Sequence, residues 1–134
     1  MKALAMFGLA VSMAGAQCYA AQLSGKLMDA DCYNQKEVAS REAGHKTYHS
    51  MTKTCAATAT TTQFAMRVER SPYFEYEGDT IKLDAEGNSL AAKALEDGTL
   101  QPDRDGDVHV RARGEMTVDE VLRTRSLNGS VSAK

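Results

Sequence analysis

The stretch Thr60–Arg70, TTTQFAMRVER, carries the clearest structural pattern in the sequence. Its β-branched threonines lead into residues that alternate between apolar and polar. The apolar positions on one side of an extended chain are Phe64, Met66 and Val68. Alternation with a period of two is typical of a strand that buries one face, so we predict a strand here.

Shorter versions of this pattern occur before and after Thr60–Arg70. They predict four more strands, at Gln22–Asp29, Thr80–Asp84, Val108–Ala112 and Val121–Leu127. An apolar stripe predicts one short helix at Ser89–Glu96, with Asn88 or Ser89 as its N-cap. The polar stretch Asn34–Ser50 is interpreted as an irregular or partly helical excursion.

The number and order of these elements predict a mainly β fold. About five strands and one short helix favour a small antiparallel, OB-like barrel. The alternative is an α+β sandwich in which one helix packs on a sheet.

The N-terminus has the features of a secretory signal peptide. Lys2 precedes an uncharged apolar stretch, Ala3–Ala14, and Cys18-Tyr19-Ala20 ends the segment with a small residue. The apolar stretch is shorter than the roughly 20 residues that span a bilayer, so no stable membrane anchor is expected. We predict cleavage after Ala20, with Ala16 as the alternative. The remaining residues, 21–134, then form one domain in the periplasm or outside the cell.

Two cysteines remain after cleavage at Ala20. In an oxidising compartment, Cys32 and Cys55 are expected to form a disulfide. In the chain-entropy model such a bond is worth about 3 kcal/mol.

Overall charge gives no sign of a strongly charged partner. The formal net charge is −2 and tryptophan is absent. A mild acidic balance predicts neither nucleic-acid binding nor attraction to an anionic membrane. We therefore expect the partner to be a protein or a small molecule.

The run Leu23–Cys32, LSGKLMDADC, resembles the start of an uncharacterised family of short exported bacterial proteins. In that family a glycine-containing strand leads to Asp-x-x-Cys, and a cysteine-bearing loop follows. Later strands are similar to Ile81–Asp84, Val108–Gly114 and Val121–Leu127. The resemblance implies export and a small OB-like β-barrel, and it implies no activity, because the family is a domain of unknown function. Relatives are richer in cysteine, whereas the loop here offers only Cys55 as a partner for Cys32.

Four residues in and beside the polar stretch Asn34–Ser50 are of types that bind metal ions. His45 and His49 are four residues apart, and with Cys32 and Cys55 they make a ligand set suited to zinc or copper. A disulfide removes both sulfurs from that set. The hypotheses left open are a four-ligand site, a two-histidine site beside an intact disulfide, and no metal or other cofactor.

The loop Asp103–Asp107 has alternating carboxylates, but the later ligand positions of a calcium loop hold Val108 and Gly114, so we interpret it as a solvated turn.

A group of aromatic residues follows Pro72. It forms either a contact patch for a partner or part of the core and rim of the barrel, and we favour the core and rim. Its members are Tyr73, Phe74 and Tyr76.

No known catalytic motif is present. The sequence contains no G-x-S-x-G elbow, no phosphate-binding glycine loop and no Cys-x-x-Cys pair. His109 lies on a predicted strand where it faces solvent or the barrel mouth. The leading hypothesis for the function is an exported, non-enzymatic binding module. The second hypothesis is a metal-binding module that uses His45 and His49. A third hypothesis is a secreted hydrolase whose active site the sequence does not reveal.

Overall fold

The computed structural model describes residues 19–42, 55–71 and 76–130. Five strands and two helices occur in these ranges, and the mainly β prediction is confirmed. The elements are β1 (Tyr19–Asp29), α1 (Ala30–Glu42), β2 (Phe64–Arg70), β3 (Thr80–Leu83), α2 (Ala85–Glu96), β4 (Val108–Met116) and β5 (Val121–Gly129). No helix in the described ranges is long and apolar enough to cross a membrane.

The five strands form one sheet that closes into a ring in the order β1-β2-β3-β5-β4, with β4 returning to β1. Four of the strand pairs are antiparallel. The predicted sheet was antiparallel, and one pair departs from this, because β3 and β5 pair in parallel at Lys82↔Val121 and Leu83↔Leu122. The chain between β3 and β5 includes a helix and β4, which is long enough for a parallel crossover.

The inside of the ring is apolar. On β2, Phe64, Met66 and Val68 are all at most 1% exposed, as the alternation predicts. The other fully buried side chains of the strands come mainly from Leu23, Leu27, Ile81, Val108, Val110, Met116 and Leu122. Every second position of the longer strands therefore faces outward, which leaves most of their polar residues on the outer surface, although Thr124 of β5 is buried.

Two glycines let the strands approach closely where the pairing register shifts. A Cβ atom on Gly25 would lie 1.9 Å from the carbonyl oxygen of Arg67, and one on Gly114 would lie 1.9 Å from that of Arg123. Register shifts occur beside both, at Ser24/Gly25 and at Arg113/Gly114. Bulges of this kind bend a strand, which helps a short sheet to close on itself.

The helix α2 begins earlier than predicted. Asp84, not Asn88 or Ser89, is the N-cap, and its Oδ1 accepts a hydrogen bond from the Gly87 N–H at 2.9 Å. Asp and Asn are equally competent caps, so the sequence alone does not choose between them. Asn88 instead accepts from the Phe64 N–H at 2.8 Å, which ties the helix to the start of β2.

The predicted disulfide is present and joins α1 to the segment before β2. Cys32 and Cys55 are bonded, with their Cα atoms 5.5 Å apart. Asp29 accepts a hydrogen bond from the Cys32 N–H at 3.0 Å through Oδ1, and another from the Thr61 hydroxyl at 3.1 Å through Oδ2. The Asp-x-x-Cys sequence thus places a carboxylate at the start of α1 and a covalent link in its first turn. The prediction counted one short helix, whereas α1 is a second helix of 13 residues, whose later part agrees with the partly helical interpretation of Asn34–Ser50.

Candidate functional site: an arginine face on the outer sheet

Five exposed arginines, of the eight in the sequence, lie on the outer side of the sheet. They occupy alternate positions of β4 and β5, together with the last position of β2. We call this surface the arginine face: Arg70, Arg111, Arg113, Arg123 and Arg125. The strand period of two explains the pattern, because Arg111 and Arg113, like Arg123 and Arg125, point to the same side.

The strand register brings these arginines around the outer residues of β1. Ser24 lies opposite Arg70 on one neighbouring strand and opposite Arg111 on the other. Gln22 lies opposite Arg113. Residues directly opposite each other in an antiparallel pair have Cβ atoms about 5 Å apart. Short polar side chains on β1 therefore lie between longer guanidinium side chains.

Two shallow depressions mark the surface. One, of about 470 Å³, is lined by Gln22, Arg113, Glu115 and Arg125, among others. The other, of about 430 Å³, is lined by residues that include Gln22, Arg70 and Arg111. Because both contain Gln22, the depressions adjoin and together present four guanidinium groups.

Few carboxylates neutralise the arginine face. Glu115 forms an ion pair with Arg125, whose side chain is 75% exposed, and also lies opposite Arg123 in the strand register. Glu77 lines the second depression. Within the described part of the chain, the face therefore combines five positive groups with two negative ones. An exposed cation excess of this kind attracts anions over a range of about 10 Å at moderate salt.

A second cleft lies on the other side of the ring, between α1 and the strands β2 and β3. It measures about 490 Å³, and its charged lining residues are Glu37, Arg67, Asp79, Lys82 and Glu120. Positive and negative groups are nearly balanced here. The cleft therefore offers a polar recess without selecting strongly for the charge of a ligand.

A third group of polar side chains lies at the start of β4. The His109 ring contacts Asp103, with Nε2 to Oδ2 at 2.8 Å, and one atom from each of Asp103, Asp107 and His109 falls within 4.8 Å of the others. Lys26 on β1 lies 3.3 Å from Oδ2 of Asp107 and 3.6 Å from Oε1 of Glu69. Two carboxylates therefore contact the Lys26 ammonium group, and His109 contacts Glu69 at 3.9 Å and Asp103 at 2.8 Å.

Two pKa values in this group follow from the contacts. The hydrogen bond from His109 lowers the pKa of Asp103 and outweighs the opposite effect of partial desolvation. Hydrogen bonds from the backbone N–H groups of Asp107 and Asp105, and the charge on His109, lower this pKa further. Desolvation acts to lower the pKa of Lys26, but the hydrogen bond and charge of Asp107, with help from Glu69, raise it overall. Asp103 is thus held ionised and Lys26 protonated at neutral pH.

The structure describes only some of the residues singled out from the sequence. His45, His49, Tyr73 and Phe74 lie outside the described residues. Tyr76 is half-buried and packs against the main core, which agrees with its interpretation as a core or rim residue. In this structure, the sulfurs of Cys32 and Cys55 are bonded to each other, so neither is a thiolate ligand.

Sequence reasoning missed the arginine face, although a signal for it was present. The two closing strands were predicted, and arginine stands at alternate positions in or directly after them, at Arg111 and Arg113 and at Arg123 and Arg125. The overall charge concealed this pattern, because acidic residues elsewhere outnumber the cations. Comparison with known proteins finds no matching family model, no similar curated protein and no similar solved structure.

Proposed function

We propose that the chain is an exported, non-enzymatic binding module with an OB-like barrel, and that the arginine face binds an acidic polysaccharide. The strand order β1-β2-β3-β5-β4 and the position of α2 between β3 and β4 support the OB-like assignment. The disulfide supports export, because such bonds persist in oxidising compartments.

The observation that carries the proposal is the concentration of arginine on one sheet face of an acidic chain. Guanidinium groups bind carboxylates and sulfates through paired N–H donors, which a lysine ammonium does not match. Arg111 and Arg113 are two positions apart on one strand, so their Cα atoms are about 7 Å apart. A row of regularly spaced cations suits a ligand whose negative charges also repeat.

One feature favours a polysaccharide over a single-stranded nucleic acid. Among the residues that the structure describes, no aromatic side chain lines the two depressions, and stacking on aromatic rings supplies much of the binding to unpaired bases. The depressions are also open and shallow, which fits a chain lying on the surface.

The test is the affinity of the oxidised, mature protein for heparin, used as a sulfated polysaccharide probe, over a range of salt concentrations. Removal of two cations, as in Arg111→Gln/Arg113→Gln, is expected to weaken binding and to lower the salt slope. By analogy with nucleic acids, two lost contacts reduce the slope of log K against log salt by roughly 1.5.

A matched control removes the same charge elsewhere. Lys36 on α1 and Lys93 on α2 are exposed and lie outside the arginine face, so Lys36→Gln/Lys93→Gln should leave affinity and slope nearly unchanged. Equal losses in both double variants would mean that net charge alone governs binding and would contradict the proposal. Tighter binding of a single-stranded oligonucleotide than of heparin at equal salt would overturn the choice of ligand.

Export is tested separately by the mass of the protein recovered from its own host. Cleavage after Ala20 gives a chain that begins at Ala21, whereas cleavage after Ala16 retains Tyr19 and Ala20, which pair with Met116 and Glu115 of β4. A chain that keeps Met1 would contradict export through a cleaved signal peptide. Zinc or copper binding at His45 and His49 stays an alternative prediction.

A further inference from the structure

We infer that Asp103, Asp107 and His109 form a binding site for a divalent transition metal of the zinc class, separate from the arginine face. Two of these residues lie in the turn before β4 and the third is the second residue of that strand. Their ligand atoms already lie within 4.8 Å of one another. The group therefore needs only small side-chain movements to surround one ion.

A buried oxygen without a partner points to a ligand at this place. Asp107 is 5% exposed, and its Oδ1 is buried with no hydrogen-bond partner among the residues that the structure describes. Leaving a buried carboxylate oxygen unpaired is costly, so such atoms often mark a bound water or ion. The other oxygen, Oδ2, contacts Lys26 at 3.3 Å.

The local charge balance also favours a dication. Glu69, Asp103 and Asp107 provide three negative groups, and Lys26 forms ion pairs with Glu69 and Asp107. The three carboxylates and Lys26 together carry a formal charge of about −2 at neutral pH. A divalent ion neutralises that charge, while Lys26 compensates Asp107 when no ion is bound.

The distance between His109 and Asp103 is compatible with an ion between them. Nε2 and Oδ2 are 2.8 Å apart, a hydrogen-bonding distance. Two ligands at about 2.1 Å from zinc and at a tetrahedral angle lie about 3.4 Å apart. Binding would therefore replace the shared proton and open the contact by a few tenths of an ångström, so that protons compete with the metal.

The mixture of one imidazole and two carboxylates indicates the class of metal. Imidazole nitrogen suits zinc, copper and nickel, whereas calcium and magnesium prefer oxygen ligands alone. The side chains of Asp103 and His109 are 32% and 13% exposed, so the ion can be reached from solvent and can keep a water ligand. We expect zinc to bind and calcium to compete poorly.

The test is calorimetric titration of the oxidised protein with Zn²⁺ at neutral pH. The chain has three histidines, which allows a matched comparison. His109→Gln and Asp103→Asn should each weaken binding by more than about tenfold, whereas His45→Gln/His49→Gln should leave this site unchanged. Lys26→Met should strengthen binding, because it removes the competing ammonium group.

Two controls keep the result interpretable. Thermal unfolding without metal verifies that each variant folds, and ¹⁵N-resolved histidine spectra report which imidazole nitrogen changes on adding Zn²⁺. A shift of the His109 ring with one zinc per chain supports the site. Zinc binding that is lost only in His45→Gln/His49→Gln, or no binding to the unmodified protein, would overturn it.

Discussion

The carboxylate of Asp84 accepts a hydrogen bond from the backbone N–H of Thr124, 40 residues further along the chain, at 3.1 Å. The same oxygen, Oδ1, accepts the Gly87 N–H inside the first turn of α2. Gly87 permits this approach, because a Cβ atom there would lie 2.3 Å from the Thr124 hydroxyl. One side chain thus caps the helix and fixes it to β5.

Replacement of this carboxylate should therefore cost more than loss of an ordinary helix cap. We expect Asp84→Ala to lower the free energy of unfolding by about 2 kcal/mol, since a cap and a charge-assisted hydrogen bond are lost together. Denaturant unfolding measures this change. The exposed Asp119 provides a control, and Asp119→Ala should stay within about 0.5 kcal/mol of the parent protein. Equal effects of the two substitutions would contradict the double role of Asp84.

The bulge at Gly114 makes a second prediction. Gly114→Ala places a methyl group against the Arg123 carbonyl oxygen, at a distance that no real Cβ atom tolerates, so the strands must separate. We expect a loss of about 2 kcal/mol or more in the free energy of unfolding. Gly129→Ala, whose Cβ atom would meet Leu100 at 3.5 Å, is the control and should change little. A stable Gly114→Ala protein would show that the strands do not approach as closely as described.

The disulfide makes a third prediction. Cys32→Ser/Cys55→Ser should lower the free energy of unfolding by about 3 kcal/mol in the chain-entropy model. Reductant should lower the stability of the parent protein by a similar amount and leave the double variant unaffected. An unfolding transition of the parent that does not respond to complete reduction, verified by thiol counting, would contradict a stabilising role for the bond.

The carboxylates of Asp97 and Asp103 make a pH prediction. Hydrogen bonds from Thr99 hold the pKa of Asp97 below its ordinary value of 3.8, and the hydrogen bond from His109 does the same for Asp103. A lowered folded-state pKa means that the stabilisation is complete above the ordinary pKa and is lost as the pH falls through the folded value.

Carboxyl ¹³C titration by NMR separates the two causes. His109→Gln should raise the pKa of Asp103 toward 3.8 and leave that of Asp97 where it was. An unchanged Asp103 titration in the variant would show that the contact between the ring and the carboxylate does not persist in solution.

Much of the fold could be predicted because strand periodicity is a local property. Phe64, Met66 and Val68 alternate with polar residues, and their burial follows directly. The start of α2 could not be predicted, because the choice of Asp84 over Asn88 depends on contacts with Thr124 and Phe64, which lie far away in the sequence. The parallel pairing of β3 and β5 is likewise a property of the closed ring, not of either strand.

The candidate sites were harder to predict than the strands. His109 was expected to face outward, but its pairing with Asp103 needs the turn geometry, in which Asp103 also accepts the Asp107 N–H at 3.0 Å. The arginine face needs the register between strands, since Arg70 and Arg111 are 41 positions apart in the sequence and meet only on either side of Ser24. Net charge, averaged over the chain, carries no information on such clustering.

The most direct test of the proposed polysaccharide surface is NMR mapping of a titration with a short heparin fragment at low salt. We predict that the amide signals that shift most belong to the outer residues of β1, β4 and β5, around Gln22, Ser24, Arg111 and Arg113, and that salt reverses the shifts. Shifts concentrated instead at the cleft between α1 and β3, around Asn34 and Lys82, or an absence of shifts at low salt, would contradict the claim that the arginine face binds anionic polymers.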